Sequence, residues 1–282
     1  EYVVYIFTGA LGIFKLLGLI TKNQFYLLAG VTVYICSGFV SGVANFINWT
    51  ASLGFIPWVF YFYFITVQQP NFRNSILLGI ASWLMLVCGY PAFIIYTIYC
   101  VLALFIWHVW QQIKRGKTVW KELQFLLLAL LIGLALSLPA IIAYIEFLPF
   151  YSRGKDLATD LPFRDCFYPQ FLSSLFIPSS VYNKNYDVLC HSANRDIYFG
   201  VLPMLGGVLF ILNYKKNKTS FVVLLTAIAV FTFIFLFGFL TPLGNFSFKF
   251  LPLMGAFKWS AAARIFLILL LTVAGIYQLS KQ

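Results

Sequence analysis

Residues 123 to 145 read LQFLLLALLIGLALSLPAIIAYI, without one charged side chain. A helix needs roughly 20 apolar residues to cross the hydrocarbon core of a bilayer, so this stretch predicts a membrane span. Comparable runs recur along the chain. We count nine: Tyr2 to Ile20, Phe25 to Gly42, Ala51 to Val67, Ser75 to Cys88, Ala92 to Trp110, Leu123 to Ile145, Ile197 to Asn213, Phe221 to Leu240 and Ala261 to Leu279. The runs are continuous rather than alternating, and lipid offers the backbone no hydrogen-bond partner, so helices rather than barrel strands are expected. Ser75 to Cys88 is short, and Gly89-Tyr90-Pro91 breaks the helical pattern after it. That pair reads either as two short spans or as a re-entrant hairpin.

Composition agrees. Of 282 residues, 62% are hydrophobic and 10% charged, against about 25% charged in soluble domains. The fold class expected is an all-α integral membrane protein, with residues 1 to 282 forming a single polytopic domain. The net charge of +11 does not point to nucleic acid, because the basic residues are scattered between apolar runs.

Membrane orientation explains them better, since short cytoplasmic loops are enriched in Lys and Arg. Placing Lys15, Lys22, Arg73, Lys114 to Lys121, Lys215 to Lys218 and Lys281 in the cytoplasm puts eleven of the 19 basic residues there, with Glu122 as the one acid. Glu1 and the remaining acids then lie outside. The chain opens on Glu1 with no signal peptide, so it reads as an internal fragment with a span expected upstream.

Two outer segments interrupt the apolar pattern: a long loop, Glu146 to Asp196, and a second loop, Thr241 to Ser260. The first is rich in aromatics, and Tyr168 to Ile177 could lie along the bilayer surface as an interfacial helix. It carries Asp160 and Asp165 among its acids and Arg153 and Arg164 among its bases. Such mixed charge reads as solvated, loosely paired loop, or as acid-base and substrate-positioning chemistry by one or two of the acids. The second loop is more pointed. Lys249, Lys258 and Arg264 have no acid between Thr241 and Leu279 to pair with. Arg264 falls just inside an apolar span, where an ionisable side chain is costly. It either snorkels to the outer headgroups or, together with Lys258, binds a phosphate at the membrane surface.

Cys36, Cys88 and Cys100 fall within spans and read as packing residues, whereas Cys166 and Cys190 share the long outer loop and are candidates for a disulfide. His191 beside Cys190 is too little for a metal site, and His108 between Trp107 and Trp110 reads as part of an interfacial belt. The Asn48-Trp49-Thr50 and Asn217-Lys218-Thr219 triplets match the N-glycosylation pattern, the second on the expected cytoplasmic side. Phosphate-cradling glycine loops, zinc patterns and nucleophile elbows are absent from the sequence. Charges in the middle of the spans, which ion channels and proton pumps use, are almost absent too.

Several phrases in order resemble the YfhO-like bacterial membrane proteins, a family with the architecture of GT-C type glycosyltransferases. They are Ser37-Gly38-Phe39, Asn48-Trp49, Pro57-Trp58, Cys88-Gly89-Tyr90-Pro91, Glu146 with Ser152-Arg153-Gly154, Phe176-Ile177-Pro178, Tyr198 to Pro203, Gly238 to Leu243, Leu251-Pro252 and Phe257-Lys258 with Arg264. Tyr90 stands where the family usually has His, Lys258 where Arg is usual and Ser260 where Pro is usual. The resemblance implies the central part of an enzyme that moves a sugar from a polyprenyl-phosphate carrier on the outer face of a bacterial cytoplasmic membrane. It implies Lys258 and Arg264 as phosphate-binding residues, with Arg153 and Arg164 supplementary. The principal catalytic carboxylate is expected upstream of Glu1, with Asp160 and Asp165 as weaker candidates. A lipid-linked sugar donor is then the expected co-substrate, and the resemblance leaves room for a divalent metal without pointing to ligands for it in this sequence. Membrane lipids, the carrier and protein neighbours in the membrane are the expected partners. The alternatives are a non-enzymatic subunit of an envelope transport or secretion assembly, or a transporter of a lipid-linked substrate.

Overall fold

The computed structural model describes residues 1–43, 46–147, 169, 172, 198, 200, 204, 212, 220–254 and 260–281. Every regular element among them is helical. Four helical stretches are long and apolar enough to cross a membrane: Ile47–Gln68, Pro91–Lys114, Trp120–Glu146 and Ser260–Leu279. This is a helical protein built for a membrane. The spans expected over Ile197 to Asn213 and the long loop from Glu146 to Asp196 lie almost wholly outside the described residues.

The chain divides into two compact units, Glu1–Leu16 with Asn48–Asp156, and Leu17–Ile47 with Leu157–Gln282. The first contains α1 (Tyr2–Leu17, but for its last residue), α4 (Ile47–Gln68, but for its first residue), α5 (Phe72–Cys88), α6 (Pro91–Lys114) and α7 (Trp120–Phe147). Without a hydrophobic drive between helices in lipid, small residues that let backbones approach become the glue. α1 meets α4 in this way. A Cβ on Gly54 would stand 2.8 Å from the carbonyl oxygen of Tyr5, and one on Gly9 would be 3.3 Å from that of Leu53. Pro57 cannot donate to the Leu53 carbonyl, and that oxygen is the one facing Gly9. Further along, the Trp58 indole donates to the Thr8 carbonyl at 2.9 Å.

The contact of α5 with α7 follows the same logic. Ser75 donates to the carbonyl of Phe125 at 2.8 Å. One turn on, a Cβ at Gly79 would stand 2.9 Å from the Ala129 carbonyl, and a Cβ at Gly133 would be 3.3 Å from that of Gly79. The contacts advance in step along both helices, so α5 and α7 run parallel, as two helices separated by one antiparallel crossing must. At 24 residues α6 is long enough to be that crossing. Away from α5, α7 exposes Leu127, Leu130, Leu131, Leu134, Leu138, Ile142 and Ile145, an outer face suited to acyl chains.

The second unit contains α2 (Gln24–Ile35), the short α3 (Gly38–Gly42), α8 (Ser220–Leu236), α9 (Pro242–Phe250) and α10 (Arg264–Leu279), with 3-10 turns at Gly238–Leu240 and Ser260–Ala263. The single span expected over Phe25 to Gly42 is thus interrupted. Cys36 caps α2, and Ser37, with extended backbone, starts α3. The expected loop over Thr241 to Ser260 holds a helix: Thr241 accepts from the Gly244 amide at 3.2 Å, and Pro242 occupies the first turn, where its missing N–H costs nothing.

Candidate functional site

α10 begins with Arg264, and its position is unusual. Among the described residues it is the one charged side chain that is buried, at 0% exposure. The guanidinium thus lies inside the second unit rather than on its surface. The guanidinium carbon stands 5.1 Å from the centroid of the Phe39 ring, within reach of a cation–π attraction. Phe39 is itself fully buried on α3. The sequence held the Ser37-Gly38-Phe39 phrase but no sign that its ring would face Arg264, some 225 residues away.

Local structure explains how the cation is held inside. The preceding turn, Ser260–Ala263, presents one hydroxyl and three methyl groups, all buried, so neighbouring segments close over it. Ser260 donates to the carbonyl of Leu236 at 3.0 Å, tying the end of α8 to the start of α10. Phe235, Leu236 and Met254 are fully buried. Gly238 adopts φ +50, which a side chain would strain, and its carbonyl occupies the space beside Gly244 where a Cβ would sit. The Gly38 amide donates to the Tyr198 carbonyl at 2.6 Å. The second unit therefore gathers at one end the segments around Phe39, Tyr198, Gly238 and Arg264.

Two sources of positive charge meet at this end. The start of a helix carries partial positive charge, and a guanidinium in the first turn adds a full charge to it instead of opposing it. The carboxylates of this unit, Asp160, Asp165, Asp187 and Asp196, all lie outside the described residues. So do Lys258, Arg153, Arg164, Cys166, Cys190 and His191. Lys249 is described, exposed in the last turn of α9. Of the three cysteines expected to pack within spans, Cys100 is buried, Cys88 half-buried and Cys36 exposed.

The first unit has a cluster of its own. Trp49, 2% exposed, stacks on Tyr90 at 5.3 Å between centroids and meets Phe93 edge-on at 5.4 Å. The Tyr90 amide donates to the Ser52 hydroxyl at 2.8 Å, and Ser52 donates to the Asn48 carbonyl at 3.0 Å. Thus the start of α4 is clamped to the turn between α5 and α6. A Cβ on Gly89 would overlap the Met85 carbonyl and stand 2.6 Å from the Ser52 hydroxyl, so the turn needs glycine for space. At the other end of this unit His108, half-buried on α6, lies two residues before Trp110, whose ring carries the Lys114 ammonium at 3.6 Å. That fits an interfacial belt. Compared with family models, curated proteins and solved structures, the chain matches none.

Proposed function

We propose that the chain is the central part of a GT-C-like glycosyltransferase, multi-pass in a bacterial cytoplasmic membrane, that takes sugar from a polyprenyl-phosphate carrier on the outer face. The observation that carries the reading is the buried guanidinium of Arg264 at the head of an apolar helix. In the transfer, an acceptor hydroxyl attacks the anomeric carbon, the bond from that carbon to the phosphate oxygen breaks, and polyprenyl phosphate leaves with the electron pair. A base takes the hydroxyl proton. Positive charge that strengthens its hold as the phosphate becomes a dianion lowers the barrier. Arg264 is suited to that role through its planar fork, with Lys258, six residues earlier in the sequence, as its companion and Arg153 and Arg164 supplementary. Asp160 and Asp165 are the candidates within the chain for the base.

The test is transfer from polyprenyl-phosphate-linked sugars by membranes containing the protein, at limiting donor. Arg264→Gln should lower transfer about ten- to hundred-fold, the worth of a charged hydrogen bond, and Arg264→Lys should restore part of it. Lys258→Gln should raise the donor KM. Full transfer by Arg264→Gln would overturn the phosphate role. Absence of transfer by the unaltered protein from every such donor would favour a non-enzymatic subunit or a transporter.

A further inference from the structure

The connection between α6 and α7 is a built cationic surface. Gly116, at φ +67, closes the end of α6, while the amides of Arg115 and Lys117 donate to the Gln112 carbonyl at 3.0 and 2.9 Å and that of Gly116 to the Ile113 carbonyl at 3.0 Å. The turn is therefore hydrogen-bonded into one shape. It presents Lys114, Arg115, Lys117 and Lys121, all exposed. Arg73, also exposed, lies at the same end, since Ser75 two residues on bonds the start of α7 at Phe125. Glu122, half-buried, is the one carboxylate among the described residues there.

Aromatic side chains mark the depth of this surface. Phe72, Trp110 and Trp120 are 61%, 47% and 65% exposed, and the ammonium of Lys114 rests 3.6 Å from the centre of the Trp110 ring. Indoles at the end of an apolar helix favour the headgroup level. Leu127, Leu130 and Leu131, exposed on the next turns of α7, continue the surface into hydrocarbon. A ligand matching all of this has an anion at the cations and acyl chains along α7.

We propose that the α6–α7 turn, with Arg73, binds the phosphodiester headgroups of anionic phospholipids in preference to zwitterionic ones. A zwitterionic headgroup brings its own ammonium toward five cations, whereas an anionic one does not. The inference rests on the chain residing in a bilayer and is independent of sugar transfer. Each basic residue near an anionic surface contributes about five-fold in affinity at physiological salt, and less when charges crowd.

Thermal unfolding of the purified protein in mild detergent doped with phosphatidylglycerol or phosphatidylcholine tests it. Phosphatidylglycerol should raise the midpoint more than phosphatidylcholine, and 0.5 M NaCl should remove most of the difference. The variant Lys114→Gln/Arg115→Gln/Lys117→Gln/Lys121→Gln should lose the difference, whereas Lys249→Gln, on α9, should keep it. The pair Lys114→Gln/Lys117→Gln should show an intermediate loss and serves if the quadruple variant does not fold. Equal stabilisation by the two lipids, an undiminished difference in the variants, or the same stabilisation by inorganic phosphate would each overturn the proposal.

Discussion

Gly54 and Gly79 are where single atoms decide the packing of the first unit. A Cβ at either would meet a carbonyl oxygen of the neighbouring helix at 2.8 or 2.9 Å, and backbone cannot swing aside as a side chain can. Gly79→Leu should therefore destabilise by about 1–3 kcal/mol or more, measured by unfolding in detergent. Gly133→Ala, whose new methyl would meet the Gly79 carbonyl at 3.3 Å, should cost less. Ser52→Ala tests the clamp on Tyr90. It removes the acceptor of the Tyr90 amide while sparing the aromatic stack, and should cost about 1–3 kcal/mol in the same measurement. None of these residues stands out in the sequence as a contact. Gly89-Tyr90-Pro91 is legible there as a break because proline and glycine act locally. Its partner Trp49 is not, because the 40 positions between Trp49 and Tyr90 carry no trace of the pairing.

Helices are most legible where apolar residues run on, and least where a polar cap sets the boundary. α7 extends only a few residues past each end of the run Leu123 to Ile145. α4 starts at Ile47, before the expected Ala51, because Asn48, Trp49 and Thr50 continue the helix, the first two of them taking part in the clamp. The break between α2 and α3 at Cys36 and Ser37 is invisible to hydropathy, since both flanks are apolar. α9 is missed for the opposite reason. It is too short and too polar to register as a span, yet Thr241 and Pro242 give it a start signal of the ordinary kind. Thr241→Ala should loosen it by about 1 kcal/mol, seen as faster amide exchange over Pro242–Phe250 with α10 little changed.

For the whole chain, the distribution of charge predicts which connections share a side. Within the first unit the helix directions agree with it: Gln69 to Arg73 and Lys114 to Lys121 lie at one end, and Gly89-Tyr90 with Glu146 at the other. With the native cysteines replaced by Ser, Lys117→Cys and Lys216→Cys should react with an impermeant maleimide only after the membrane is opened, and Glu146→Cys should react in intact cells. Labelling of Lys117→Cys from outside would reverse the orientation and remove the proposed sugar-transfer site from the outer face. The register of α5 on α7 also sets an order of assembly. Ser75 and the carbonyl it bonds are 50 residues apart, with α6 between them. During synthesis at 5–20 residues per second, α5 therefore waits roughly 2.5–10 seconds for the ribosome to deliver its partner. In that interval its Ser75–Gly79 face is open to lipid, to an insertase or to any other helix that offers small residues.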